Sequence, residues 1–205
     1  MEYVLRNWYF YSWLSGDHIV EQHVHNLDVI NWAMGTPPAE ALAVGGRQWR
    51  VEPQFGNIYD HFSVRYRYPN CAVVVSMCRQ IDNTQPLVTE GVIGTKGRAM
   101  AGKIEGATPF TFSGRETNPY EQEHADLIQS IRDGKPINEG RAVAEATLTA
   151  IMGRMSAYTG LPVSWKFALQ DSQLDLTPEM FKTGEFKLGP VPAVSVPMPG
   201  VTELT

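Results

Sequence analysis

Three of the five histidines, His18, His23 and His25, fall within residues 16–32, GDHIVEQHVHNLDVINW, together with Asp17, Glu21 and Asp28. Imidazoles close to carboxylates can exchange protons near neutral pH, the carboxylate orienting the ring and stabilising its charged form. Read as one helix at about 100° per residue, His18, Glu21, His25, Asp28 and Trp32 share a face of roughly 80°. Val20, Val24 and Leu27 form an apolar stripe away from that face, and Ile19 and Ile30 lie on a third side. A helix apolar on most sides is a buried helix. Burying imidazoles and carboxylates is costly unless they are paired or used, so the polar face is the site candidate.

That face leaves alternatives open. His18, Glu21 and His25 stand at i, i+3 and i+7, which would offer two imidazoles and a carboxylate to zinc or a similar ion. The order is not His-Glu-x-x-His, however. A buried hydrogen-bonded network without chemistry is the plainest alternative. A non-catalytic sugar-binding module is another, built on the aromatic residues Tyr3, Trp8, Tyr9, Phe10, Tyr11 and Trp13 that precede the histidines. Such rings either fill a core or form a stacking wall for a flat ligand.

The elements that must position these residues follow from periodicity. Ser15 or Asp17 can cap the histidine helix, and Gly35 ends it before Pro37 and Pro38. From Ala39 the period changes to two, and residues 40–50, 60–68, 71–79, 87–94 and 98–104 read as strands. Turns fall at Tyr68-Pro69-Asn70 and at Thr95-Lys96-Gly97, the latter with Gly97 at positive φ rather than a phosphate loop. Connections this short imply antiparallel neighbours. The expected fold is therefore α+β, a largely antiparallel open sheet with helices on one face. Asn118-Pro119 followed by Glu121 starts a helix, a second runs over residues 141–158, and the methionines in it are core residues. The expected organisation is a domain over 1–168 and a Pro-rich tail over 169–205, wrapped on the surface or on a partner.

Composition bounds the partners. The chain has 205 residues, 43% of them hydrophobic, enough for a sizeable core. A net charge of -5 supplies no basic footprint, so nucleic acid and anionic membranes are not expected partners. The two cysteines, Cys71 and Cys78, are expected to be reduced core residues on opposite sheet faces. No apolar run reaches transmembrane length, Met-Glu-Tyr does not open a signal peptide, and the cytoplasm is the expected compartment.

The segments RNWYFYSWLSGDHIVEQHVHNLDVINW, VIGTKG, NPYEQEHADLIQSIRDGKPINEG and ATLTAIMGRMSAYTG resemble, in that order, the C-terminal domain of the Gfo/Idh/MocA oxidoreductases. The resemblance implies an enzyme that moves hydride between a secondary alcohol of a sugar or polyol and NAD or NADP. It also implies a substrate-side domain that is inactive alone, because no G-x-G-x-x-G follows a strand and Gly134-Lys135-Pro136 sits in a loop after a helix. It carries an acidic residue four before a histidine and an aspartate three after it onto Glu21, His25 and Asp28. His25 is thereby the expected acid/base, Glu21 its orienting carboxylate, and Trp8, Tyr11, His18 and Asp28 the expected substrate contacts. Glu21 replaces the more usual Asp, and His23 a usual glycine, so the pocket is retuned. Within the same family a glycosidase using NAD transiently is the alternative chemistry. Strands such as residues 71–77 are apolar on both sides, and a homodimer or higher homo-oligomer through the sheet is the expected cover.

Overall fold

A computed structural model describes residues 2–114, 117–178 and 194–205. The chain forms two compact units, Met1–Pro86 with Glu145–Thr205, and Leu87–Ala144. Within the expected tail, residues 179–193, which include Pro190 and Pro192, lie outside the described residues.

The first unit is built on an antiparallel sheet of β1 (Glu40–Gly46), β2 (His61–Arg67), β3 (Val73–Arg79) and β8 (Val163–Ser164), in the order β3-β2-β1-β8. Alternation sorts its side chains. Ala41, Ala43, Phe62, Val64 and Tyr66 turn to one face and are buried. On the other, Val44, Ser63 and Met77 are aligned across the three long strands, as are Leu42, Arg65 and Val75. The buried face is covered by α4 (Val24–Met34) and by α6 (Gly140–Thr159), whose glycine at 153 marks the tightest approach. A Cβ at Gly153 would lie 2.4 Å from Tyr66 Oη and 3.2 Å from both Ile19 and Val64 side chains.

Polar ties fix this packing where the ladder stops. Strand β8 pairs only with Glu40 and Ala41, and beyond it the Ala43 N–H donates to Ser156 Oγ at 2.9 Å. Ser156 passes the bond on to the Leu161 carbonyl at 2.7 Å, so no buried backbone donor is wasted at that edge. Asn31 of α4 donates to Thr149 Oγ1 at 2.9 Å and accepts from Tyr68 at 2.7 Å. The C-terminal residues return to this unit. Tyr59 donates to the Pro197 carbonyl at 2.9 Å, Asn57 to the Ser195 carbonyl at 3.3 Å, and the Gly200 N–H to the Thr159 carbonyl at 2.9 Å.

The second unit holds a four-stranded meander, β4 (Gly91–Gly94), β5 (Gly97–Met100), β6 (Lys103–Gly106) and β7 (Phe110–Thr111), and helix α5 (Pro119–Arg132). Asn118 caps α5 by accepting the Tyr120 N–H at 3.0 Å, with Pro119 in the first turn, as its sequence predicts.

The fold is α+β with antiparallel sheets, as expected, and the strands divide between two sheets. Two expectations need correction. Residues 98–104 are not one strand but two, because Gly102 takes φ 72 and reverses the chain. Cys71 is not a core residue: it sits exposed at φ 65 in the turn before β3, while Cys78 is half-buried within the strand.

Gly153→Ala gains about 1 kcal/mol of helix propensity, but overpacking against Tyr66 costs about 1–3 kcal/mol and the Tyr66 hydrogen bond to Thr149 is displaced. The expected net result is a fall in Tm of roughly 2–4 °C per kcal/mol lost, read by calorimetry. An unchanged Tm would mean that α6 lifts from the sheet freely.

Candidate functional site

The histidine segment begins with an unusual backbone. Gly16 has φ 75, and any side chain there would meet Val20 at 2.8 Å. Asp17 follows at φ 74, ψ 160, a region almost confined to glycine and costing about 1–3 kcal/mol for other residues. Its carboxylate offsets that cost. Oδ1 accepts the His18 N–H at 2.6 Å, and Oδ2 accepts the Tyr59 N–H at 2.8 Å and the Tyr158 hydroxyl at 2.6 Å. Each bond to a charged acceptor is worth about 1.5–3 kcal/mol, so three of them hold the strained residue. Burial, then the nearby Asp17 charge, raise the Tyr158 hydroxyl far above its ordinary pKa, and the same pair raises Tyr59 to about 12. Both phenols therefore remain donors. Arg154 closes the group by donating to the Gly16 carbonyl at 2.9 Å.

His18 is thereby buried at 2% exposure. Its Nδ1 faces the Asp17 carboxylate at 3.3 Å and the Tyr59 carbonyl at 3.4 Å, two acceptors that favour the proton on that nitrogen. Nε2 is buried without a hydrogen-bond partner among the described residues.

The single helix expected over the histidine segment is two. Helix α3 spans His18–Glu21 and α4 starts at Val24. Between them the His23 N–H steps back five residues to the His18 carbonyl at 3.0 Å, and a new ladder opens from the His23 carbonyl, which accepts from Asn26 and Leu27. His23 Nε2 is hydrogen-bonded to Ser76 Oγ of β3 at 2.7 Å, so the break is pinned to the sheet. Burial, and secondarily His18, push the His23 pKa down, with Asn26 opposing.

The break redistributes the expected site residues. His18 lies in the core and Glu21 is half-buried at the end of α3. His25 and Asp28 are exposed on α4, in line with Val29 and with Trp32, which is 83% exposed. Tyr11 is buried, and only Trp8 of the expected aromatic pair is open. Trp8, Tyr9, Phe10 and Phe55 follow one another edge to face, with centroids 5.2–6.0 Å apart. His18, Glu21 and His25 do not form a metal cage, and among the described residues no trio of His, Cys, Asp or Glu could hold a metal ion.

A second buried carboxylate was not singled out by sequence. Asp60 Oδ2 accepts the N–H groups of Gln48, Trp49 and Arg50 at 2.6–3.1 Å, and Oδ1 meets His61 Nδ1 at 2.7 Å. Burial alone would raise its pKa; His61 and the three N–H donors outweigh burial and hold it below the ordinary value. This node ties residues 47–52 down and sets Arg50 beside Gln80, its Nη1 donating to Gln80 Oε1 at 2.7 Å. Tyr9 stands near Gln80, Glu21 and Arg50. The chemistry on offer is thus a polar cluster of Tyr9, Glu21, Arg50 and Gln80, and an open stripe of His25, Asp28 and Trp32. No helix of eight or more residues follows a strand through a Gly-rich turn among the described residues. No helix is long and apolar enough to cross a membrane among those residues.

Residues 3–100 match the family described as GFO/IDH/MocA C-terminal domain. Three solved structures share the fold. An aldose-aldose oxidoreductase from Caulobacter crescentus, complexed with glycerol, aligns at 19% identity and TM-score 0.62 over 77% of this chain and 50% of its own. A myo-inositol dehydrogenase from Corynebacterium glutamicum aligns at 20% identity and TM-score 0.58 over 78% and 52%. An oxidoreductase from Agrobacterium radiobacter, in complex with NAD+, L-tartaric acid and magnesium, aligns at 18% identity and TM-score 0.51 over 70% and 47%. The chain thus spans about half the length of these relatives. No curated protein matches it.

Two outcomes follow from the nodes. Tyr158→Phe removes one donor to Asp17 and is expected to cost about 1.5–3 kcal/mol in urea denaturation, whereas Asp17→Asn, which removes the charge and turns one acceptor oxygen into an N–H2 donor among three donors, costs more. For His23, whose folded pKa lies below the ordinary 6.5, the unfolded chain binds the proton more readily. Stability is therefore complete at high pH and declines as pH falls below about 6.5. His23→Gln should flatten the urea midpoint between about pH 7.5 and 5; an unaltered slope would assign the acid sensitivity elsewhere.

Proposed function

Because residues 3–100 match the GFO/IDH/MocA C-terminal domain, we propose that this chain is the substrate-side part of an oxidoreductase acting on a secondary alcohol of a sugar or polyol with NAD or NADP. The observation that carries the reading is the exposed row His25, Asp28, Val29 and Trp32 on α4, with Glu21 closing the preceding helix. A helix in a packed domain does not normally leave an indole 83% exposed in line with a histidine and a carboxylate. The row suits a face that meets substrate and another domain.

His25 is the acid/base in this reading. Oxidation of a secondary alcohol breaks the O–H bond while the carbinol hydrogen leaves as hydride; an imidazole nitrogen of His25 takes the hydroxyl proton. Nicotinamide, when bound, supplies the hydride acceptor. Glu21 binds a second substrate hydroxyl or steadies the imidazolium, Asp28 holds the opposite edge of the same helical face one turn on, and Trp8 offers an apolar wall to sugar C–H groups. Buried Tyr11 and His18 act from behind by packing rather than by touching substrate. The measurement is nicotinamide absorbance of the full-length gene product with a panel of sugars and polyols. His25→Ala should lower turnover by roughly 10²–10⁴, and full turnover in that variant would remove His25 from the role.

The open face of the first sheet belongs to the same proposal. Val44, Val73, Val75 and Met77 are 57–72% exposed there, more contiguous apolar surface than a lone domain normally leaves to water. A second copy packed face to face would cover it. Sedimentation equilibrium at micromolar concentration should give a dimer or larger assembly, and Val75→Asp with Met77→Asp should shift it to monomer; a wild-type monomer would count against the contact.

A further inference from the structure

Arg50 is seated by its neighbours yet keeps most of its guanidinium donors uncommitted. Its N–H donates to Asp60 Oδ2 at 3.1 Å, its Nη1 to Gln80 Oε1 at 2.7 Å, and its guanidinium carbon stands 5.4 Å from the centre of the Phe10 ring. Gln80 hangs on the same node, its N–H donating to the Asp60 carbonyl at 2.8 Å. Both backbones are thereby held by one buried residue, and the two side chains are tied to each other.

Arg47, three residues earlier, shows what a structural arginine looks like here. Its two terminal nitrogens donate to the carbonyls of Gly56, Arg50 and Glu52. Arg50 by contrast spends one of five N–H donors, and among the described residues no carboxylate lies within ion-pair distance of it. A half-buried guanidinium, preorganised and without an ion-pair partner among the described residues, is a fork for a carboxylate or phosphate oxygen pair. Beside it Tyr9 Oη is buried and makes no bond of good geometry, although the Gln80 side chain is close. Burial and the Glu21 charge keep that phenol protonated, so it is a donor as well.

We propose that Arg50, seated by Asp60 and Gln80 beside Tyr9 and Glu21, is the specificity residue for an acidic sugar, an aldonate or uronate, taking its carboxylate in the guanidinium fork. The proposal rests on the oxidoreductase reading and deepens it by naming the substrate class. Glu21, whose charge acts on Tyr9, then accepts a hydroxyl of the same molecule and repels a ligand that presents its acid the other way round. A neutral polyol leaves the guanidinium charge uncompensated and binds more weakly. Specificity is set by the acid group, and the redox step is left to other residues.

The test has a binding arm and a turnover arm. Thermal shift of this chain is recorded with D-gluconate, D-glucuronate and, as a neutral probe, D-glucitol, for wild type, Arg50→Met and Arg50→Lys. An acidic probe should raise the wild-type Tm more than D-glucitol does; Arg50→Met should weaken its apparent affinity by roughly 10- to 100-fold, with partial recovery in Arg50→Lys. In the full-length gene product, Arg50→Met should raise KM for the acidic substrate while kcat falls little. Equal shifts for D-glucitol and both acids, or acidic binding unchanged in Arg50→Met, would overturn the assignment. If Arg50→Met lowers the Tm of the free chain by itself, Gln80→Leu, which unseats the fork while retaining the charge, serves in its place and should weaken the acids alone. Failure of the wider reading is visible separately, as acid binding that depends on Arg50 without nicotinamide reduction by any substrate.

Discussion

The Asp17 carboxylate is the point on which the first unit depends. It is fully buried, sits on a backbone that aspartate rarely adopts, and binds three donors from the helix it begins, from residue 59 before β2, and from α6. A lone carboxylate in that position would be very costly. Surrounded by two N–H groups and a phenol, it becomes a junction between segments 42 and 141 residues away. Its orientation determines where His18 lies, and through the short α3 where Glu21 ends and α4 starts.

Asp60, the residue before β2, performs a parallel task. Three successive N–H groups wrap one oxygen and His61 takes the other, an anion nest whose anion is a side chain of the same protein. The two carboxylates thus organise loops that sheet hydrogen bonding cannot reach. Asp17 arranges the start of the histidine segment and Asp60 the arginine loop.

Much of the fold was legible in the sequence because its determinants are local. Alternation in Phe62-Ser63-Val64-Arg65-Tyr66 and the Asn118-Pro119 cap announce their elements without tertiary help. The spacing of Glu21, His25 and Asp28 presupposed one continuous helix, whereas Glu21 ends α3 and the other two lie on α4. What periodicity could not reveal was the break at His23, since Ile19, Leu27 and Ile30 continue the same helical rhythm through it. The break arises from partners far along the chain: Ser76 for His23, and Tyr59 and Tyr158 for Asp17. Asp17 read as an ordinary cap because a cap needs only its neighbours. Arg50 and Asp60 sit at the ends of residues 40–50 and 60–68, which alternation assigned to strands; the strands stop at Gly46 and start at His61, and alternation carries no sign that the loop between them folds onto Asp60.

The return of residues 195–200 to Asn57, Tyr59 and Thr159 has a bearing on how the chain matures. Tyr59 contributes its N–H to Asp17 and its hydroxyl to Pro197, so one residue links the start of the site to a segment made 138 residues later. Sequence separations of this length slow folding, because loop closure must precede the contacts that reward it. On the ribosome, β1, β2 and β3 can pair as they emerge, but the Asp17 junction waits for α6 and the clasp on Tyr59 waits for Pro197. During that interval the apolar sheet face and the half-built histidine segment are both open to water, the period in which a chaperone or an early-formed partner has most to protect.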